Sequence, residues 1–121
     1  MSGPAASEEG GGTVFAMADG DAYFQVQLDR EASPVSVVAS GELDAASSPE
    51  LSSALDAAVA AGSGVALDLR AVTFIDSSGL RVITAALRDA SEADHRFTVS
   101  AASESVRRIF EITGLTALLE A

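Results

Sequence analysis

Residues 65–80, VALDLRAVTFIDSSGL, constrain the fold more than any other stretch of the chain. Val65, Leu67 and Leu69 recur with period two, the spacing of a strand that buries one face, and Ala66 suits burial on the other. Val72, Phe74 and Ile75 then read as a short connector anchored on the same core. Asp76, Ser77 and Ser78 are helix-capping residue types. Gly79 lets the backbone approach a neighbour closely, and Leu80, Ile83, Thr84 and Leu87 recur at helical spacing. Two hydroxyls beside a carboxylate therefore stand where backbone N–H groups emerge unpaired. Such a turn suits phosphate chemistry, or a partner that reads phosphate.

The flanking segments extend the pattern. Residues 1–13 read as a flexible tail of glycine, serine, alanine and glutamate, and residues 14–121 as one domain. Thr13 to Met17 is ambiguous, with a short edge strand as one reading. Tyr23 to Leu28 alternates, Asp29 to Pro34 reads as a turn, and Val35 to Ala39 is a β-branched strand ended by Gly41. Ser47-Ser48-Pro49-Glu50 starts a helix, with Ser48 as cap and Pro49 in the first helical position. Leu51, Ala54, Leu55, Ala58 and Val59 share its inner face, and Gly62 or Gly64 stops it. A strand over Val65 to Leu69, a helix from Ser77 to Ala90 and a strand over Phe97 to Ala101 follow. Ser103 caps a last helix carrying Val106, Ile109 and Phe110, with Gly114 as its stop. Leu115 to Ala121 is apolar and has no assignable state.

This order predicts an α/β domain. The first strand pair is antiparallel, the later strands are parallel and linked by helices, and one small mixed sheet is covered by those helices. Every strand-to-helix loop of the parallel part opens at the same rim. Asp44 and Asp76-Ser77-Ser78 are therefore expected side by side, at the end of the sheet where ligands of open α/β folds bind.

Charge and composition exclude several classes. A formal net charge of −11, with all seven basic residues arginine, repels nucleic acid. No apolar run approaches the roughly 20 residues of a membrane span. The first residues carry neither a basic region nor an apolar core, so no secretory signal is expected and the cytoplasm is the expected compartment. With no cysteine, a disulfide framework and a thiolate metal site are both ruled out. Asp44 with Asp76 resembles the carboxylate pair of a magnesium-dependent receiver, but the chain has no lysine to complete that site. Serine hydrolysis fits poorly. His95 follows the second helix, at the far end of the sheet from Ser77, and neither a G-x-S-x-G elbow nor a glycine-rich phosphate loop is present. Asp68 reads as solvated or paired, and Arg107 and Arg108 as a solvated helix face. Capping alone is a sufficient reason for serines at positions 77 and 78 and for an aspartate at 76.

Three segments together carry a family resemblance: Gly41-Glu42-Leu43-Asp44, then VALDLRAVTFIDSSGL, then the helix Ser103 to Leu115 ending RRIFEITGL. Over about residues 22–119 the chain resembles a STAS domain, and more closely the bacterial anti-sigma factor antagonists. The resemblance implies a protein-binding switch, not an enzyme, with no cofactor and no metal. Its unphosphorylated form would bind an anti-sigma factor that is also a serine kinase, freeing the sigma factor. Phosphorylation of the serine after the aspartate, here Ser77, would release that partner, and a PP2C-type phosphatase would restore binding. Asp44, Asp76, Ser77, Ser78, Gly79 and Leu80 form the implied partner-binding set, with no direct contact to nucleic acid or membrane. The alternatives are a STAS scaffold that never cycles through phosphorylation and, in the enzyme class, a phosphate-handling or hydrolytic domain.

Overall fold

The computed structural model describes residues 24–119 and the backbone of residues 12–16. The expected tail lies outside the described residues as far as residue 11, as do Tyr23 and the last two residues. Five strands form one sheet in chain order: β1 (Gly12–Ala16), β2 (Phe24–Asp29), β3 (Val35–Leu43), β4 (Val65–Ile75) and β5 (Phe97–Ala102). The β1–β2 and β2–β3 pairs are antiparallel, and β3–β4 and β4–β5 are parallel. Helices α1 (Ser48–Ala61), α2 (Ser77–Glu92) and α3 (Glu104–Thr113) complete the domain.

Strand alternation builds the core. Phe24, Val26 and Leu28 of β2, Val35, Val37 and Ala39 of β3, and Val65, Leu67 and Leu69 of β4 are buried on one face. Leu51, Ala54, Leu55 and Ala58 of α1 cover that face together with Ile83, Ala86 and Ala90 of α2. The opposite face is not covered as expected: Gln25, Gln27, Val38 and Ser100 are exposed, and Ala66 is only half-buried. The α2 stripe is also rotated from the expected one. Ile83 is fully buried, while Leu80, Thr84 and Leu87 lie half-buried at its edges.

Two strands run further than their sequences suggest. Gly41 does not end β3, which continues to Leu43, and β4 continues through the expected connector to Ile75. The nine residues of β3 pair with eleven of β4, and the register slips between Val38 and Ser40 and again between Gly41 and Glu42. Each slip leaves one extra residue on β4. Gly41 sits at the second slip with φ of 102°, a conformation open to glycine. The bulges change the spacing of inward positions on β4 from two to three, so Val72 and Ile75 turn inward and Phe74 turns out, 48% exposed. Phe74 is therefore not the core anchor its hydrophobicity suggests.

The caps divide. Ser48 is the first residue of α1 and not its cap; Ser47 occupies that position, without a side-chain capping bond. Gly62 and Gly114 close α1 and α3 in the left-handed conformation, with N–H groups donating to Val59 and Phe110. Ser103 caps α3 through Val106 N–H at 3.2 Å. Beyond α3, Thr116–Leu118 forms a 3₁₀ turn, Leu118 is buried, and Leu119 bridges in parallel to Val99 beside β5.

Candidate functional site

The ends of β3 and β4 bring the two acidic motifs together. Leu43 pairs with Ile75 in the last register of the parallel ladder, and Asp76 N–H donates to Leu43 C=O at 3.2 Å. Asp44 and Asp76 thus leave adjacent strands at the same rim, as the topology required.

Asp76 caps α2. Its Oδ1 accepts from Ser78 N–H at 2.8 Å and from Gly79 N–H at 3.3 Å, with the extended backbone of a cap residue. Capping by the aspartate leaves both serine hydroxyls free of that task. Ser77, the first residue of α2, is exposed, and its hydroxyl makes no hydrogen bond among the described residues. Ser78 is half-buried. Gly79 is buried, and a Cβ there would lie 2.6 Å from Leu43 Cγ and 2.9 Å from its Cδ2. The close approach expected at this glycine is therefore to Leu43, which seats the helix start on the end of β3. Leu80 is half-buried against the core.

Asp44 is held from its own loop. Its Oδ1 accepts from Ala46 N–H and Ser47 N–H, each at 3.1 Å. Ser47 is 2% exposed; its hydroxyl donates to Glu42 C=O at 2.7 Å and accepts from Asp44 N–H at 2.9 Å. This serine is the residue that sequence reasoning passed over, because the pair before Pro49 reads equally well as a simple helix start. The second missed feature is a groove of about 200 Å³ beside the turn, lined by Thr73, Phe74, Ile75, Ser105, Arg108 and Ile109. Its signal was an unmatched Phe74, visible only once the bulges are known.

The remaining candidates lie elsewhere. Among the described residues no group of three or more His, Cys, Asp or Glu side chains is placed to hold a metal ion. His95 follows α2, whose 16 residues span about 24 Å, so it stands at the far end of the helix that Ser77 begins. Its Nδ1 is buried without a hydrogen-bond partner among the described residues, beside Gly62. Asp68 pairs with Arg70 at 3.3 Å. On α3, Arg107 donates to Ala102 C=O and Arg108 lies 3.9 Å from Glu104. The site can present an exposed hydroxyl and a carboxylate loop to a partner, and His95 does not stand beside Ser77.

Known proteins share this fold. The family model described as Mlab, STAS domain, matches residues 26–120. The anti-sigma-B factor antagonist of Listeria monocytogenes is 30% identical over 93 residues, covering 76% of this chain and 82% of the relative. An anti-sigma factor antagonist from Mycobacterium paratuberculosis superposes with a TM-score of 0.70 at 29% identity, covering 79% of this chain and 82% of that one. The anti-sigma factor antagonist SpoIIAA in its unphosphorylated form shares the fold, with a TM-score of 0.68 at 22% identity over 78% of this chain and 85% of that one. The chain belongs to the STAS domain family, among the bacterial anti-sigma factor antagonists.

Proposed function

We propose that this chain is an anti-sigma factor antagonist controlled by charge at Ser77. The unmodified form binds an anti-sigma factor with serine kinase activity through Asp44, Asp76, Ser77, Ser78 and the half-buried Leu80, with the buried Gly79 seating the helix start beneath them, and so frees the sigma factor. The kinase moves the γ-phosphoryl group of ATP onto Ser77 Oγ; the hydroxyl proton and ADP leave. A PP2C-type phosphatase reverses the modification. The chain acts in the cytoplasm as a binding switch and catalyses nothing itself. The observation that carries this reading is the exposed Ser77 hydroxyl, released from capping by Asp76 and adjacent to the Asp44 loop. The names of the relatives supply the kind of partner.

The physics of the switch follows from the position. A phosphate adds about −1.5 to −2 charges and three acceptor oxygens. At the start of α2 the helix dipole stabilises it by roughly 0.3–1 kcal/mol, while Asp76 and Asp44 oppose it. The fold tolerates the group because the site is on the rim. An interface fitted to a neutral hydroxyl does not, since docking would desolvate the new charge; each 1.4 kcal/mol lost costs about tenfold in affinity.

The test combines the purified chain, its anti-sigma factor and ATP, read by intact mass and by co-elution. Wild type should gain one phosphate and lose its partner, Ser77→Ala should gain none and keep it, and Ser77→Asp should bind weakly while melting within a few degrees of wild type. A partner retained by wild type with no phosphate gained would replace the switch with a STAS scaffold. Turnover depending on Ser77 and His95 would replace it with an enzyme.

A further inference from the structure

We propose that Arg81 is the internal partner of a phosphate on Ser77. The inference rests on the phosphoswitch reading above and concerns how the modified state is held. Ser77 and Arg81 are both exposed and stand four residues apart on α2, so they are neighbours along one helix face. A helical side chain leans toward the N-terminus of its helix, which carries the Arg81 guanidinium back over the first turn. An anion at the first position and a cation four residues on is also the favourable order relative to the helix dipole.

In the unmodified chain Arg81 is without such an anion. The residues three and four positions away on α2 are Ser77, Ser78, Thr84 and Ala85, and Arg81 makes no ion pair among the described residues. Arg108, by contrast, has Glu104 four residues before it. The other helical arginines, Arg88, Arg107 and Arg108, each have a glutamate three or four positions away, and Arg81 has only the serines at its helix start, Thr84 and Ala85. A phosphate on Ser77 supplies the missing anion, with charge-assisted hydrogen bonds to the guanidinium. The pair offsets part of the repulsion from Asp44 and Asp76 and keeps the dianion folded along α2, on the surface that a partner has to cover.

The test uses the full chain with phosphoserine encoded genetically at position 77, followed by phosphorus NMR across pH 4–9. The charged groups next to the phosphate are Asp76 at the cap, Asp44 on the β3–α1 loop and Arg81 on α2 itself, while Arg108 on α3 lines the groove beside Ile75. All but Arg81 are the same in wild type and in the Arg81 variants. The second ionisation of the phosphate, normally near pH 6, should fall in wild type about 0.3 below its position in Arg81→Gln. Arg81→Lys should match wild type, Arg88→Gln further along α2 should also match it, and 1 M salt should shrink the difference. Equal midpoints in wild type and Arg81→Gln would overturn the proposal. Because the phosphoserine is encoded, a kinase that leaves Ser77 unmodified would sink the phosphoswitch reading while this titration still decides the pairing.

Discussion

Asp76 and Ser77 divide two tasks that either residue type performs elsewhere: the carboxylate caps α2, and the hydroxyl next to it stays unengaged among the described residues. The two side chains should therefore differ in what their removal costs. Asp76→Ala should lose about 1 kcal/mol of stability in urea denaturation, the usual cost of a cap. Ser77→Ala should stay within about 0.5 kcal/mol of wild type, as an exposed substitution does. A large loss at Ser77 would mean that its hydroxyl, too, supports the fold. Ser47 is the opposite case. Its buried hydroxyl joins Glu42 C=O to Asp44 N–H, so Ser47→Ala leaves two backbone groups short of a partner and should cost about 1–3 kcal/mol. Ser47→Thr, which keeps the hydroxyl, should recover most of it in the same denaturation series. That Asp76 would cap was readable from its type and place. That Ser47 would turn back to Glu42 was not, because the bond depends on where β3 ends.

At the level of elements, the site is a junction between β3, β4 and α2. Gly79 has no side chain because Leu43 occupies the space, with a Cβ there meeting Leu43 Cγ at 2.6 Å. Gly79→Ala should cost about 1–3 kcal/mol by overpacking. In Leu43→Ala, already weakened by its own cavity, the added methyl should cost much less. A double-mutant cycle in urea measures this coupling, and strict additivity would show that the two elements do not press on each other. Period-two reading located β4 as far as Leu69 and then failed at Phe74, since two bulges re-aim every later side chain. Bulges arise from matching eleven residues of β4 to nine of β3, a relation between strands that neither strand displays by itself.

Over the whole molecule, charge and core act separately. Phe110 of α3 is fully buried, and Phe110→Ala should cost about 3–5 kcal/mol and loosen α3 from β4. A net charge of −11 should make association with the proposed anti-sigma factor slow as salt rises, readable by stopped flow at two ionic strengths; a salt-independent on-rate would mean the acidity serves solubility alone. The sequence by itself determined the order and type of the elements from β2 to α3, the antiparallel-then-parallel sheet, a glycine stop for α1 at Gly62 or Gly64 and for α3 at Gly114, and the meeting of Asp44 with Asp76 at one rim. These follow from local periodicity, capping chemistry and chain connectivity, which act over a few residues or through simple topology. Only the tertiary structure decided that Phe74 faces outward, that one face of the sheet stays open, that Gly79 yields its space to Leu43, and that Ser47 anchors the Asp44 loop. Each of those depends on the register between strands distant in sequence, and register is set by packing the whole core at once.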